Sequence, residues 1–192
     1  MLTNHQIEEV SPRMNIPLEY CGFKDRIPRL KVDKTYIINL EDATDDKGNP
    51  NPGSHWTAFQ IRNSTNGPKC FYFDSYGVGE PVAVRRRVTE AFGPIKIYQN
   101  TKDVQSLMSD ACGYFCLAWA HFINDPRFKT SSIKADSDNF LSMFNNLEKS
   151  RDYMFNEHVL RHFFLAKDRK NEPINVYADL DEIIKSNGSK KV

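Results

Sequence analysis

Through the first hundred residues, short apolar runs alternate with polar stretches, a pattern that is typical of β-strands rather than helices. We predict strands at residues 35–40, 55–61, 70–74 and 95–98, because these runs are rich in β-branched and aromatic side chains. A polar loop at 41–53, with two prolines and two glycines, separates the first two strands. The turn-rich stretch "RNSTNGPK" joins the second strand to the third.

The second half of the chain has the longer apolar spacing of helices. We predict a helix at 79–93, in which Pro81 suits the first turn and Gly93 the C-terminal end. Residues 112–123 are apolar on nearly every side, which predicts a helix buried at the centre of the fold. Two amphipathic helices are predicted near 138–147 and 151–164, with one weak strand at 174–177. The mixture predicts an α+β fold.

Length and composition point to one soluble domain over residues 1–192. The chain is 40% hydrophobic and 27% charged, and its formal net charge of +1 argues against a strongly basic nucleic-acid binder. No apolar run approaches the roughly 20 residues that a membrane span needs. The start, "MLTNHQIEEV", lacks the basic and then apolar pattern of a signal peptide. We therefore expect no membrane partner, no secretion through a signal peptide, and a reducing compartment.

The four cysteines are expected to be free thiols in such a compartment. Cys21, Cys70, Cys112 and Cys116 form no CxxC pair, so a zinc site or a thioredoxin-like motif is not indicated. We expect no metal and no cofactor.

Cys112 and Cys116, in "SDACGYFCLAWAHF", differ in their predicted surroundings although they are four positions apart. Cys112 stands where the central helix should begin, after the candidate caps Ser109 and Asp110. The positive end of the helix dipole there favours a thiolate. Cys116 lies one turn deeper in apolar surroundings, which keep a thiol protonated and inert. Cys112 is therefore the candidate nucleophile.

A nucleophilic cysteine needs a base, and histidine is the usual choice. His55 follows the loop ending "NPGS" and opens a predicted strand, where its side chain can face a cleft. The other histidines have ordinary structural or surface explanations: His121, His158 and His162 lie on predicted helices, and His5 lies in a terminal segment expected to be loose.

A carboxylate must then hold the imidazole in its useful tautomer. Asp74 ends the strand that follows the strand of His55, so an antiparallel pairing would place the two side by side. A structural role as a strand-end aspartate in "FDSYG" remains the alternative.

Three blocks in this order, "GSHWTAF", "CFYFDSYG" and "VQSLMSDACGYFC", resemble the signature regions of the adenovirus maturation protease family. That family is similar in turn to the SUMO-type ubiquitin-like-protein proteases. The resemblance covers about residues 15–125. It implies a papain-like or adenain-like fold, in which a central helix carrying the cysteine packs on a mixed or antiparallel sheet.

The resemblance also implies roles that spacing does not show. Gln105, seven residues before Cys112, would donate its side-chain amide to the oxyanion beside the backbone N–H of Cys112. Trp56 and Gly113 would bind substrate by bounding a narrow slot with no room for a Cβ atom. We therefore expect cleavage after glycine, in sites of the Gly-Gly-X type.

The chain departs from the adenoviral pattern in three respects. Asp74 stands where the adenoviral enzyme usually has Glu, and in this it resembles the SUMO proteases. No cysteine lies between Cys70 and Cys112, so activation by a disulfide-linked peptide is unsupported. The chain is near neutral, whereas the adenoviral enzyme is basic and uses DNA. At most a weak nucleic-acid contact is expected, and the net charge does not support it.

The leading hypothesis is a thiol endopeptidase that matures capsid precursors of a DNA virus, of virophage or polinton type. Its partners would be those precursor proteins, and its location the virion and the infected host cell. Two alternatives stay open. One is a deconjugating protease acting on SUMO or ubiquitin-like modifiers. The other is a non-enzymatic binding module on a decayed protease fold.

Overall fold

The structure, a computed structural model, describes residues 1–146 and 150–168. Its elements in chain order are α1 (Asn4–Arg13), β1 (Leu18–Phe23), a 3₁₀ helix (Lys24–Arg26), β2 (Thr35–Asn39), β3 (Trp56–Ser64), β4 (Gly67–Phe73), α2 (Val82–Phe92), β5 (Ile97–Gln99), α3 (Cys112–Asn124), α4 (Ile133–Ser142) and α5 (Ser150–Asp168). The predicted strand at 174–177 lies outside the described residues. The assignment of residues 1–192 to one domain stays a prediction.

The five strands form one mixed sheet in the order β1-β2-β3-β4-β5. The two outer pairs are parallel, and the two inner pairs are antiparallel. Ala58 of β3 stands opposite Phe73 of β4. The start of β3 therefore lies beside the end of β4, which brings His55 and Asp74 to the same edge of the sheet.

Successive side chains of the strands enter two different cores, as the two-residue period of a pleated sheet requires. On one face, Ala58 and Phe73 belong to a cluster with α3, α4 and α5. On the other face, Phe59 and Tyr72 pack with two valines of α2. Ten of the thirteen residues of α3 are buried, which explains its almost uniformly apolar sequence. The predicted α+β class, with a cysteine-bearing central helix packed on a mixed sheet, is confirmed.

The N-terminal segment is helical, so the expectation that it is loose is wrong. Thr3 caps α1 with a capping box: its side chain accepts from the backbone N–H of Gln6, whose side chain accepts in return from the N–H of Thr3. Ile7 and Met14 anchor the helix in the core. Pro12 inside α1 and the scarcity of apolar residues concealed this helix in the sequence.

Other element boundaries differ from the predicted ones because caps and turns determine where helices and strands begin and end. The helix predicted at 138–147 spans Ile133–Ser142, because Ser132 caps it by accepting from the N–H of Ala135. The stretch "RNSTNGPK" is mostly strand, and only residues 65 and 66 separate β3 from β4. Pro81 is the N-cap of α2 rather than a first-turn residue, and Gly93 is its C-cap at φ +75°. Strand β1 was not predicted, since its half-buried residues show no regular alternation.

Candidate active site

His55 and Asp74 form a buried pair where β3 begins and β4 ends. Nε2 of His55 lies 2.7 Å from Oδ1 of Asp74, and the two side chains are 10% and 1% exposed. The same oxygen of Asp74 accepts from the backbone N–H of Tyr76 at 2.9 Å. Because the carboxylate engages Nε2, it fixes the ring's orientation and leaves Nδ1 for another partner.

Cys112 lies next to this pair: its Sγ accepts from the backbone N–H of Trp56, the residue after His55, at 3.5 Å. Burial lowers the pKa of His55, but hydrogen bonds to the side chains of Asp74 and Cys112 outweigh it and raise the pKa to about 9. The imidazole is therefore protonated at neutral pH, and an imidazolium beside a sulfur favours the thiolate. A carboxylate, an imidazole and a thiol in this sequence form the arrangement that activates a nucleophile.

Cys112 is the first residue of α3, as predicted from the sequence. The proposed caps Ser109 and Asp110 are wrong, since the N-cap is Ala111 and it makes no side-chain hydrogen bond. Ser109 Oγ instead accepts from the backbone N–H of Ala111, and the carboxylate of Asp110 pairs with the amino group of Met1. The positive end of α3 thus lies at the sulfur without a capping side chain.

The other three cysteines have the surroundings of structural thiols. Cys116 is fully buried one turn further along α3, and its Sγ donates to the carbonyl of Trp56 at 3.3 Å. Burial raises the pKa of the Cys116 thiol far above its ordinary value, and it also raises the pKa of Cys21 and of Cys70. The thiolate is the nucleophilic form, so these groups are poor nucleophiles.

Gln105 is buried next to the segment that leads into Cys112. Its Oε1 accepts from the hydroxyl of Ser75 at 2.7 Å. Its Nε2 donates to the carbonyl of Ser109 at 2.8 Å and to the hydroxyl of Tyr76 at 3.2 Å. Both amide hydrogens are thus engaged, and the longer bond is the one to Tyr76. The role of Gln105 as an oxyanion donor stays a prediction, which requires one of these bonds to open.

Trp56 and Gly113 lie against each other beside Cys112, and the chain's own Leu2 fills the space between them. A Cβ atom built on Gly113 would lie 3.2 Å from Cβ of Leu2 and 3.4 Å from Cδ1 of Trp56. The indole Nε1–H donates to the carbonyl of Leu2 at 2.8 Å. The slot expected from the sequence, and substrate binding by Trp56 and Gly113, stay predictions.

Two residues of this cluster were missed in the sequence. Tyr76 stacks on the imidazole of His55, with ring centroids 4.4 Å apart and planes 20° apart. Asn100 holds the backbone of Asp74: its Oδ1 accepts from the N–H at 3.0 Å, and its Nδ2 donates to the carbonyl at 2.6 Å. Tyr76 stands two residues after Asp74, so its position near the site could have been predicted from the sequence. Nothing in "YQNTK" marked Asn100.

The other four histidines lie on helices α1, α3 and α5. His121 contacts the carbonyl of Met14 through Nδ1 at 2.6 Å, a structural role. His5 and His158 are exposed, and the side chain of His162 lies outside the described part of the structure. Within residues 1–146 and 150–168, no three His, Cys, Asp or Glu side chains are grouped to hold a metal ion. None of the described helices is both long and apolar enough to span a bilayer.

No protein-family model matches the chain, and no curated protein matches it significantly in sequence. Among solved structures, the ASFV pS273R protease matches at 16% identity with a TM-score of 0.43, covering 73% of this chain and 65% of that chain. Its selenomethionine form matches at 18% identity with a TM-score of 0.35, covering 55% of this chain and 42% of that chain. AvrA delL154, solved with IP6 and CoA, matches at 14% identity with a TM-score of 0.46, covering 97% of this chain and 69% of that chain.

The chain therefore spans less than two thirds of the ASFV protease chains that it matches. Similarity at this level leaves the functional inference to the geometry of the site.

Proposed function

We propose that this chain is a cysteine endopeptidase with Cys112 as nucleophile, His55 as base and acid, and Asp74 as the group that orients His55. One observation carries the proposal. A buried imidazole is hydrogen-bonded to a carboxylate, and the backbone N–H of the residue that follows the imidazole donates to a thiol at the start of a buried helix.

Acylation begins from the ion pair in which the proton of the Cys112 thiol already lies on His55. The thiolate attacks the carbonyl carbon of the scissile peptide bond, and the carbonyl π electrons move onto oxygen. Asp74 stabilises the imidazolium without taking its proton. His55 then gives the proton to the leaving nitrogen as the C–N bond breaks, which leaves a thioester on Cys112 and releases the new amino terminus.

The oxyanion of the tetrahedral intermediate needs hydrogen-bond donors that are already in position. The backbone N–H of Cys112, at the uncapped start of α3, is one candidate. The side-chain amide of Gln105 is the second, once its bond to Tyr76 opens. Deacylation uses the same groups. Water attacks the thioester as His55 removes its proton, and the acid product leaves as His55 returns that proton to the sulfur.

The proposed substrates are viral capsid precursors cut after glycine in Gly-Gly-X sites. Support comes from the three sequence blocks that resemble adenovirus maturation proteases. Trp56 and Gly113 lie close together beside Cys112, and the side chain of Leu2 occupies the space between them. The partners are then precursor proteins, and the place of action is the infected cell and the virion.

A second candidate function is removal of SUMO or ubiquitin-like modifiers. Asp74 favours it, because the adenoviral enzyme usually has Glu at this position and the SUMO proteases have Asp. A decayed, non-enzymatic module is disfavoured, because the hydrogen bonds of His55 to Asp74 and Cys112 would have no reason to persist together.

The test compares three substrates under identical conditions: a precursor peptide with an internal Gly-Gly-X, the same peptide with leucine in place of both glycines, and a folded SUMO or ubiquitin fusion. We expect the glycine peptide to be cleaved fastest, after glycine, and the leucine peptide to resist. Faster cleavage of the folded fusion would support the deconjugating function instead. No cleavage of any substrate by a folded enzyme with a reactive Cys112 would contradict the protease assignment.

A further inference from the structure

Tyr76 contacts every side chain that the proposed mechanism uses at this edge of the sheet except the nucleophile. Its ring stacks on His55 at 4.4 Å. Its backbone N–H donates to Asp74, on the same oxygen that engages His55. Its hydroxyl accepts from Nε2 of Gln105 at 3.2 Å. One residue thus links the base, its orienting group and the candidate oxyanion donor.

The backbone around Tyr76 leaves it little freedom. The N–H of Gly77 donates to the carbonyl of Asp74 at 2.9 Å, which closes a tight turn directly after β4. Gly77 has φ +69°, and a Cβ atom there would lie 2.8 Å from the carbonyl oxygen of Thr101. The turn is thus wedged against a neighbouring loop, so it presents the phenol ring in a fixed position.

We propose that Tyr76 is a positioning residue for this site: its ring fixes the plane of the His55 imidazole, and its hydroxyl holds the Gln105 amide ready for the oxyanion. The proposal rests on the proposed protease function. In the empty site the hydroxyl accepts one amide hydrogen, which the oxyanion takes over in the transition state. Burial is the main cause of the raised pKa of Tyr76, so the hydroxyl stays protonated through the working pH range.

Two variants separate the ring from the hydroxyl. Tyr76→Phe keeps the ring, whereas Tyr76→Leu removes the ring as well. The first readout needs no substrate: it is the rate at which iodoacetamide labels Cys112 at pH 7, which depends on the imidazole beside the sulfur. We expect Tyr76→Leu to slow labelling and Tyr76→Phe to restore the wild-type rate. Equal labelling of wild type and Tyr76→Leu would overturn the role of the ring, whatever the protease assay shows.

The second readout is a double-mutant cycle on peptide cleavage. Tyr76→Phe should lower kcat by roughly three- to tenfold at constant KM, as expected for one lost hydrogen bond. In a Gln105→Ala background the same change should have no further effect, because the hydroxyl acts only through the amide. Additive effects, or an effect confined to KM, would overturn the role of the hydroxyl. If no substrate is cleaved although Cys112 labels as expected, the protease function fails and the role of the ring stands.

A second inference comes from a different observation, the position of the N-terminal residues over the site. Leu2 is 9% exposed, its carbonyl is bonded to the Trp56 indole, and its side chain contacts Gly113. Helix α1 follows directly and is fixed in the core by Ile7. Cys112, beside this contact, is only 2% exposed.

We infer that residues 1–3 form a cover that must move away before substrate reaches Cys112. The cover occupies the space between Trp56 and Gly113 with a backbone carbonyl and an aliphatic side chain. It therefore limits the rate of every reaction at the sulfur, including reactions that need no peptide substrate.

The test compares Leu2→Ala with Leu30→Ala, a truncation of an equally buried leucine in the core on the opposite face of the sheet. Leu2→Ala should speed iodoacetamide labelling of Cys112 by about tenfold, because it removes most of the apolar contact that keeps the cover closed. Leu30→Ala should label at the wild-type rate even where its melting temperature falls, and so should Leu2→Met. Labelling of Leu2→Ala at the wild-type rate, or equally faster labelling in Leu30→Ala, would overturn the inference that residues 1–3 cover Cys112.

Discussion

Two buried ion pairs lie near the two ends of strand β3, and they differ in the groups that surround them. Just before the strand, His55 pairs with Asp74, and the Cys112 thiol interacts with His55. Towards the other end, Arg62 pairs with Asp136 of α4. All four side chains are at most 10% exposed.

The second pair is surrounded by fixed structural groups. Arg62 also donates to the backbone carbonyls of Thr130, at 3.2 Å, and Ile123, at 2.7 Å. Asp136 accepts from the backbone N–H and the hydroxyl of Thr130. These bonds join the end of α3 and the start of α4 to the sheet. Arginine stays charged at every physiological pH, so this pair has no proton to transfer.

The comparison teaches that burial and opposite charge do not by themselves identify a catalytic pair. The pair that we propose to be catalytic contains a group that can lose and regain a proton, and it lies beside a thiol. The structural pair contains neither.

The largest expected effect comes from removing the sulfur at the catalytic end. Cys112→Ala should abolish peptide cleavage, because no other described thiol contacts an imidazole in the same way. The matched variant is Cys116→Ala, one turn along the same helix, which should keep most of the activity. Both should unfold cooperatively and be compared by initial cleavage rates. Retained cleavage in Cys112→Ala would remove this residue from the mechanism.

Breaking the structural pair should affect stability rather than chemistry. Arg62→Met leaves the carboxylate of Asp136 buried without its cation, which typically costs about 3–5 kcal/mol of unfolding free energy. Urea denaturation measures this loss. The double variant with Asp136→Leu should recover much of it, because no charge is left buried. A change in kcat of the folded fraction, rather than in stability, would contradict the contrast between the two pairs.

Gln105→Ala should lower kcat by about two orders of magnitude with little change in KM, as for the loss of one oxyanion donor. Steady-state kinetics on the Gly-Gly-X peptide separate the two constants. Ser106, the next residue in the chain, provides the control as Ser106→Ala. An effect of Gln105→Ala on KM alone would mean that Gln105 only positions the substrate.

The smallest expected effect is on the pH dependence of stability. The pKa of His55 is about 9 in the folded protein, against an ordinary value of 6.5. Its contribution to stability is therefore complete below pH 6.5 and is lost as the pH rises through about 9. In Asp74→Asn the pKa should fall back towards 6.5, and cleavage should slow because the imidazole loses its orienting group.

The measurement is the difference in unfolding free energy between wild type and Asp74→Asn. It should be greatest near pH 6 and should shrink above pH 9. NMR titration of the His55 ring gives the two pKa values directly. A difference that grows with pH, or a His55 pKa unchanged in Asp74→Asn, would contradict the assigned pair.

The sequence was most informative where function coincides with an element boundary. His55, Asp74 and Cys112 each stand at the end of a strand or the start of a helix, and strand periodicity plus a helix start is enough to bring them to one edge. Asn100 and Leu2 reach the site from distant segments through tertiary packing. No local pattern records such contacts, so these residues were not predicted.

Secondary structure was missed where local signals conflicted. Helix α1 has a capping box, but Pro12 and few apolar residues oppose it, and burial of Ile7 and Met14 decides the outcome. For α4, the cap at Ser132 places the helix five residues before the position that apolar spacing alone predicted. Tertiary burial decided the first case, and a hydrogen bond at the cap decided the second.

The central claim is that one of four cysteines is activated by an imidazole held by a carboxylate. The most direct test treats the folded protein briefly with iodoacetamide at pH 7 and maps the adducts by peptide mass spectrometry. The account predicts that Cys112 is labelled first, that Cys21, Cys70 and Cys116 are labelled only on unfolding, and that His55→Ala slows labelling of Cys112. Labelling of Cys116 or Cys21 before Cys112, or labelling of Cys112 that is unaffected by His55→Ala, would contradict it.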